Sequence, residues 1–335
     1  MQWPKTTVQT PQGLKPAIAP LVISASRTTD IPAFHAKWFM NRLRAGYCLW
    51  ENAFNARQQQ YVSFEKCQVF VFWSKNPQAL MPCLSEVEER GYQYYFQYTL
   101  NDYEQEGLEP RLPKLAQRIA TFQNLSERIG RRRVIWRFDP IVMGNTLTVE
   151  SVLERIQRLA EQLAPYTEKL VFSFLDLYKK TENNLKKVDP LLRPPTDEEA
   201  LRLAEGVVQM NKSLISPLTL STCAEKLDLH TLGIERNKCI DPDLLLRLCP
   251  ASPEIRNTYV KTILQKQGRL VPLGQTPGND DIKDTGQRTS CGCAPSKDIG
   301  RYNTCMHLCT YCYANQSKMA VINGINAVDI NSERL

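Results

Sequence analysis

The sequence predicts an α/β fold, a partial (β/α)6 TIM-like barrel that carries a C-terminal cysteine-rich extension. Short continuous apolar runs alternate with longer amphipathic ones from residue 20 to residue 223. That is the pattern of parallel strands covered on their faces by helices. Six such strand–helix units follow one another. No G-x-G-x-x-G follows the first strand, so the nucleotide fingerprint of an open doubly wound sheet is missing.

The first strand is "PLVISAS" (20–26), apolar and β-branched, ending in small polar residues. A helix over "FHAKWFMNRLRAG" follows, with Phe34, Trp38, Phe39 and Leu43 on one stripe and Gly46 as its stop. "VFVFWS" (69–74) is the second strand, after which Asn76-Pro77 turns the chain into "QALMPCLSEVEERG", a helix closed by Gly91. The aromatic-rich "YQYYFQYTL" (92–100) is the third strand, 115–129 a helix, and "RVIWRFD" (133–139) the fourth strand. Thr148 caps a helix whose stripe is Val149, Val152, Leu153, Ile156, Leu159 and Leu163. "KLVFSFLD" (169–176) is the fifth strand, and a loop rich in Lys, Asn and Pro runs from it to Pro195. Thr196 and Glu199 form a capping box that opens the next helix, and "SPLTLSTC" (216–223) is the sixth strand.

Four segments follow from this: an N-terminal arm (1–19), the barrel (20–223), a linker with a small helical segment (224–290), and a cysteine-rich segment (291–335). Within the third, 274–290 has no core-forming pattern and is expected to be loop or linker.

Composition bounds the function. With 335 residues, 42% of them hydrophobic, the chain can bury a sizeable core. The polar, proline-bearing start gives no secretory signal. No apolar run approaches the roughly 18 residues of a membrane helix, so a cytoplasmic protein is expected. A net charge of +7 permits a nucleic-acid partner without indicating one, and the densest arginine run, "GRRRVIWR" (130–137), suits a solvated loop.

In parallel α/β folds, ligands bind outside the C-terminal ends of the strands. Those positions hold Ser26, Arg27 and Asp30, then Lys75 and Asn76, then Thr99 and Asn101, then Arg137 and Asp139, then Asp176, and finally Cys223. Polar residues begin many loops, but six such strand ends in succession point to a polar pocket. Arg27, Lys75 and Arg137 suit a carboxylate or phosphate, since cations bind both groups. Asp30, Asp139 and Asp176 suit an amine, ribose hydroxyls or the arginines themselves.

Eleven cysteines in a reducing compartment do not form a disulfide framework. Cys48, Cys67 and Cys83 stand in apolar sequence and behave as buried hydrophobes, and Cys249 ends an apolar run. The others crowd into the last third. "NTCMHLCTYCYAN" (303–315) places Cys305, Cys309 and Cys312 in C-x3-C-x2-C spacing, with His307 inside the loop and Cys291 and Cys293 upstream in "CGC". Thiols so grouped suit zinc or iron. With iron, a three-cysteine loop would hold three irons of a [4Fe–4S] cluster and leave the fourth open.

"CMHLCTYC" resembles the C-x3-C-x-aromatic-C motif of radical S-adenosylmethionine enzymes. That resemblance implies a [4Fe–4S] cluster on Cys305, Cys309 and Cys312, with Tyr311 beside it. It also implies S-adenosylmethionine chelated to the open iron, and an electron donor such as a flavodoxin or ferredoxin. The superfamily's full or partial barrel agrees with the six units above. In that superfamily the motif follows the first strand, whereas here it follows the sixth, so the segment must fold back over the strand ends. The Gly-Gly-Glu signature after the second strand is replaced by "SKNP", so only the three cysteines and Tyr311 carry over. Cys223, Cys239, Cys291 and Cys293 would supply a second, fully ligated [4Fe–4S] cluster. Nearly the whole chain also resembles an uncharacterised bacterial family in "SASRTTDIPAF", "FWSKNP", "WRFDPI", "CAEK" and the ending "CGCAPSKDIGRYNTCMHLCTYCYAN". The substrate does not follow from either resemblance. The alternative reading is a zinc or Fe–S knuckle that docks nucleic acid or a protein partner.

Overall fold

The computed structural model describes residues 3–53, 55–266 and 291–335. The stretch 274–290, read above as loop or linker, lies outside the described residues. The chain forms β1 (Lys5–Thr10), β2 (Gly13–Ile18), β3 (Val22–Ala25), α1 (Ile31–Phe34), α2 (Ala36–Ala45), β4 (Tyr47–Asn52), β5 (Asn55–Ser63), β6 (Val69–Ser74), α3 (Leu84–Glu89), β7 (Gln93–Thr99) and α4 (Leu115–Ile129). It continues with β8 (Val134–Ile141), α5 (Val149–Leu163), β9 (Lys169–Phe174), α6 (Lys179–Val188), α7 (Asp197–Ser213), β10 (Thr219–Thr222), β11 (Glu235–Arg236), α8 (Pro242–Leu248), α9 (Pro253–Lys266), β12 (Lys297–Asp298) and α10 (Lys318–Asn326).

Two sheets result. The larger has the order β11-β10-β9-β8-β7-β6-β3-β12, and every pairing in it is parallel. It is open, with the short β11 and β12 at its edges. The fold is therefore mixed α/β with a large parallel sheet that does not close.

Side chains alternate along each strand, so each strand feeds both faces. Ile23, Phe70, Phe72, Phe96, Trp136 and Phe172 share one core with Trp38, Phe39, Leu125, Leu159 and Leu203 of the helices. Phe39 meets Phe70 and Phe72 edge-on at 5.2 Å, contacts worth about 0.5–1.5 kcal/mol each beyond their buried area. The alternate residues Val22, Val69, Val71, Tyr95, Ile135 and Val171 belong to a second core. Ile240, Leu244, Leu245, Ile255 and Tyr259 cover them, together with Cys293 and Ala294. The segment expected as a linker from residue 224 is thus partly core, and α8 and α9 lie over a sheet face. Cys249 is buried there, and Cys48 and Cys67 are buried in the first core.

The caps match the sequence. Thr148 accepts a hydrogen bond from the Ser151 amide, and Thr196 and Glu199 complete a reciprocal box. Three stretches differ. Residues 5–18, expected as an arm, form the β1–β2 hairpin, which joins β5 and β4 in the second sheet. Apart from the buried Thr10, its Thr, Gln and Lys side chains are exposed or half-buried, and their polarity gives no apolar period to read. Residues 179–188, expected as loop, form α6, which buries only Thr181 and Leu185. Phe34, expected on the buried stripe of a single helix, instead ends the separate α1, is 37% exposed, and packs edge-on against His307 at 4.6 Å.

Candidate functional site

The face that carries the second core turns polar toward the C-terminal ends of its strands. Continuing the alternation from Val22, Val71, Tyr95, Ile135 and Val171 brings Ser24, Trp73, Gln97, Arg137 and Ser173 onto that face, and Cys223 follows at the end of β10. One period-two pattern therefore places an apolar floor and a polar rim on the same surface.

The cysteine-rich segment lies across this rim. Its anchor is Asp298 of β12, whose carboxylate accepts from Ser24 Oγ at 2.8 Å, Ser26 Oγ at 2.7 Å, the Arg27 amide at 2.8 Å and the Gly300 amide at 2.9 Å. A Cβ on Gly300 would stand 1.9 Å from Ser26 Oγ, so only glycine permits this approach. Further on, His35 Nε2 lies 2.8 Å from the Thr304 carbonyl, and His307 Nε2 lies 2.8 Å from Asp30 Oδ2. The Thr310 amide donates to the Leu108 carbonyl at 2.9 Å, and Tyr313 Oη donates to the Arg27 carbonyl at 2.8 Å. Asn315 Nδ2 closes the loop on the Cys305 carbonyl at 2.9 Å. Inside the loop, Leu308 takes a left-handed φ of 55°, a conformation disfavoured for a residue with a branched side chain.

Cys305, Cys309 and Cys312 share this loop, in which the Cys312 amide donates to the Cys309 carbonyl at 3.1 Å. Burial pushes the Cys305 thiol up to about 12 and Cys309 well above its usual range, with Lys75 opposing the shift at Cys309.

Beside them, Tyr311 enters a buried polar group. Its hydroxyl donates to Glu109, and it accepts from Lys75 Nζ at 3.0 Å and Asn101 Nδ2 at 3.1 Å. Lys75 Nζ also donates to Glu109 at 2.7 Å, and Arg118 reaches the other Glu109 oxygen at 3.4 Å. Burial opposes ionisation of Glu109, but Lys75 and Arg118 outweigh it and hold the carboxyl below the usual glutamate value. Burial also opposes the charge on Lys75, and Glu109 with its neighbours overcomes this and raises the ammonium pKa.

The ionised Glu109 is thus favoured by folding. Its contribution to stability is complete above the unfolded-state value of ~4.3 and is lost as pH falls through the lower folded value. Urea unfolding between pH 7 and pH 3 should show this loss in the wild type. Glu109→Gln should be less stable by about 3 kcal/mol at pH 7, because buried cations lose their partner. It should also show a shallower acid limb, and an unchanged limb would refute the assignment.

The remaining expected residues fall into place as follows. Arg137 donates to Asp139 through Nε at 3.1 Å and through a second, shorter bond, and Ser173 Oγ donates to the other oxygen of Asp139. Burial opposes the Asp139 charge, but Arg137 and then Ser173 keep its carboxyl below the usual range. Arg27 and Arg137 each stand 5.3 Å from the Trp73 ring centroid, two cations on one indole. Thr99 is half-buried and opposes Arg137 in register. Asp176 is exposed in the loop after β9. Ser26 and Asp30, expected to face a ligand, bond Asp298 and His307 of the cysteine segment.

Thr29 Oγ1, Asn76 Oδ1, His307 Nδ1 and Asn315 Oδ1 are buried without a hydrogen-bond partner. All four belong to the motif segment or to the first two strand ends beneath it. Cys223, Cys239, Cys291 and Cys293 meet on the same face, flanking Arg137. Among the described residues, no group of three or more His, Cys, Asp and Glu side chains is arranged to hold a metal ion as the side chains stand.

Sequence reasoning missed Glu109, Arg118, Trp73, Asn237 and Asp298. Glu109 sits in the acidic "EQEGLEP", which looks solvated, and Asp298 in the undistinguished "SKDIG". Only Trp73 carried a readable signal, since it continues the alternation of its strand. Of the arginine run, Arg137 belongs to this site. Arg131 donates to the Thr167 carbonyl at 2.7 Å, Arg132 pairs with Glu168 and Arg133 with Gln93, at the N-terminal end of β8. No helix among the described residues is long and apolar enough to cross a membrane.

The family described as "Domain of unknown function (DUF1848)" matches residues 22–314. The chain belongs to that family, and the match runs from β3 through the last motif cysteine. No curated protein matches the chain.

Proposed function

We propose that this chain is a radical S-adenosylmethionine-type enzyme of that family, with a [4Fe–4S] cluster on Cys305, Cys309 and Cys312. The observation that carries the reading is the position of the motif loop, docked on the polar C-terminal ends of parallel strands where such folds bind ligands. The donor set fits. Three thiols on one short loop would hold three irons and leave a fourth coordination site, and unsatisfied buried polar atoms stand around the loop. Each iron takes its own sulfur, so the ligands of a cluster need not converge on one point as those of a single ion must. When bound, the cluster and S-adenosylmethionine supply one-electron cleavage of the sulfonium, which yields a 5′-deoxyadenosyl radical.

The chain's own residues would then do three things. Lys75, held against Glu109 and Tyr311, keeps a positive charge beside the Cys309 sulfur and offsets thiolate charge at the loop. Asn101 holds the Asp139 backbone by bonding both its amide and its carbonyl, and Asp139, kept ionised by Arg137, offers a carboxylate at the strand end. The cysteine segment covers the rim and excludes water from a reaction that tolerates it poorly. A partial barrel belongs to the same reading. β3, β6, β7, β8, β9 and β10 are added in chain order without the reversal of a doubly wound sheet. An external one-electron donor, such as a flavodoxin or ferredoxin, completes the set.

The test is anaerobic purification with iron and sulfide analysis, followed by reduction in the presence of S-adenosylmethionine. Brown protein that releases 5′-deoxyadenosine and methionine supports the reading. Colourless protein holding one zinc and no iron overturns it.

A further inference from the structure

A second group of thiols stands on the same face, drawn from three separate segments. Cys223 follows β10, Cys239 follows β11, and Cys291 and Cys293 arrive with the cysteine-rich segment. The sulfurs of Cys223 and Cys239 are 3.5 Å apart, the Cys239 backbone meets the Cys293 sulfur, and Cys291, two residues from Cys293, packs on the same cluster. All four are free thiols, two buried and two half-buried. Their surroundings are built. Tyr95 Oη and Gln97 Nε2 both donate to the Cys239 carbonyl, at 2.7 and 2.8 Å. Arg137, itself 2% exposed, donates to Cys239 Sγ at 3.1 Å, Asn237 Nδ2 does so at 3.2 Å, and the Cys239 amide donates to Cys293 Sγ at 3.2 Å.

We propose that Cys223, Cys239, Cys291 and Cys293 ligate a [4Fe–4S] cluster of their own, fully coordinated by protein, with Arg137 and Asn237 as hydrogen-bond donors to its Cys239 sulfur. Burying cysteines as hydrophobes requires no contact between them, whereas Cys223 and Cys293 both meet Cys239 directly and Cys291 packs on the same cluster. A neutral thiol is a weak acceptor, so a buried guanidinium aimed at sulfur suits a thiolate. The Cys-Gly-Cys spacing is tighter than the C-x2-4-C pairs of structural zinc sites, but it can serve two neighbouring irons. Because four thiolates leave no iron open, this cluster carries electrons and activates no ligand directly. Hydrogen bonds to ligating sulfur tune its potential, since they stabilise the more negative reduced state. The inference does not rest on the reading of the C-x3-C-x2-C motif, because it uses other cysteines.

The decisive experiment uses the full chain, reconstituted anaerobically with iron and sulfide. The C305A/C309A/C312A variant should keep about four irons, as one [4Fe–4S] cluster requires, with the charge-transfer absorption of that cluster and a paramagnetic signal on reduction with dithionite. Adding C223A and C239A should abolish both. Should the triple variant fail to fold, C309S alone should fall from about eight irons to about four. A motif-free variant that binds no iron, or binds one zinc, overturns the proposal, as does a Cys223–Cys239 disulfide in the anaerobic protein. If about four irons persist but the wild type never cleaves S-adenosylmethionine, only the reading of the motif falls. In the motif-free background, Arg137→Met should lower the cluster's midpoint potential with the iron count retained. A merely structural arginine would leave the potential where it was.

Discussion

Cys309→Ala is expected to lose the motif cluster and with it all reductive cleavage of S-adenosylmethionine. The loss should exceed the roughly 10–100-fold typical of partners that only support a metal ligand, because two thiolates cannot hold an open-site cluster in place. Stability should fall little, since the substitution removes one sulfur atom from a half-buried position. Iron and sulfide content, product release and urea unfolding measured on one preparation separate these effects. Loss of iron together with loss of fold would mean that Cys309 is structural. Retention of cleavage would sink the proposed function.

Asp298→Ala should have the largest effect on stability of any substitution considered. Its carboxylate accepts four hydrogen bonds, three of which join β12 to the end of β3 while the fourth, from the Gly300 amide, is local, and truncation leaves these part-buried donors without that acceptor. Unsatisfied buried donors cost about 1–3 kcal/mol each. A total loss of at least about 3 kcal/mol is therefore expected, even after some donors find other acceptors. The effect should be local first. Hydrogen exchange should rise across 291–315 before it rises in β8 and β9, and bound iron should fall in parallel. Asp298→Asn keeps one carbonyl acceptor and should lose less on both counts. Equal exchange throughout the chain in Asp298→Ala would show that the segment is not held by this contact.

Much of the architecture was legible in the sequence because it depends on local periodicity. "VFVFWS" is a strand over its full length, and the Thr196–Glu199 box forms as spaced, since capping needs only neighbours three residues apart. The polar rim was legible too. Lys75, Asn101 and Asp139 follow their strands at a fixed parity, which puts them on one face whatever the rest of the chain does. The second sheet was not legible. β5 carries "RQQQ" on a largely exposed ribbon, and its pairing with β2 is set by a contact far away in sequence.

The sequence by itself determined the six parallel strands, the polarity of their ends and the presence of thiols at metal-ligand spacing, because each is a property of short windows. Only the tertiary structure decided which polar residues hold the cysteine segment and which remain beside it. Ser26 and Asp30 are committed to Asp298 and His307, which approach from more than 270 positions away. Only the fold brought Glu109 under Tyr311, laid α8 and α9 against the sheet, and drew Cys223, Cys239, Cys291 and Cys293 together beside Arg137. Those are long-range juxtapositions, fixed by core packing and buried hydrogen bonds that no local pattern encodes.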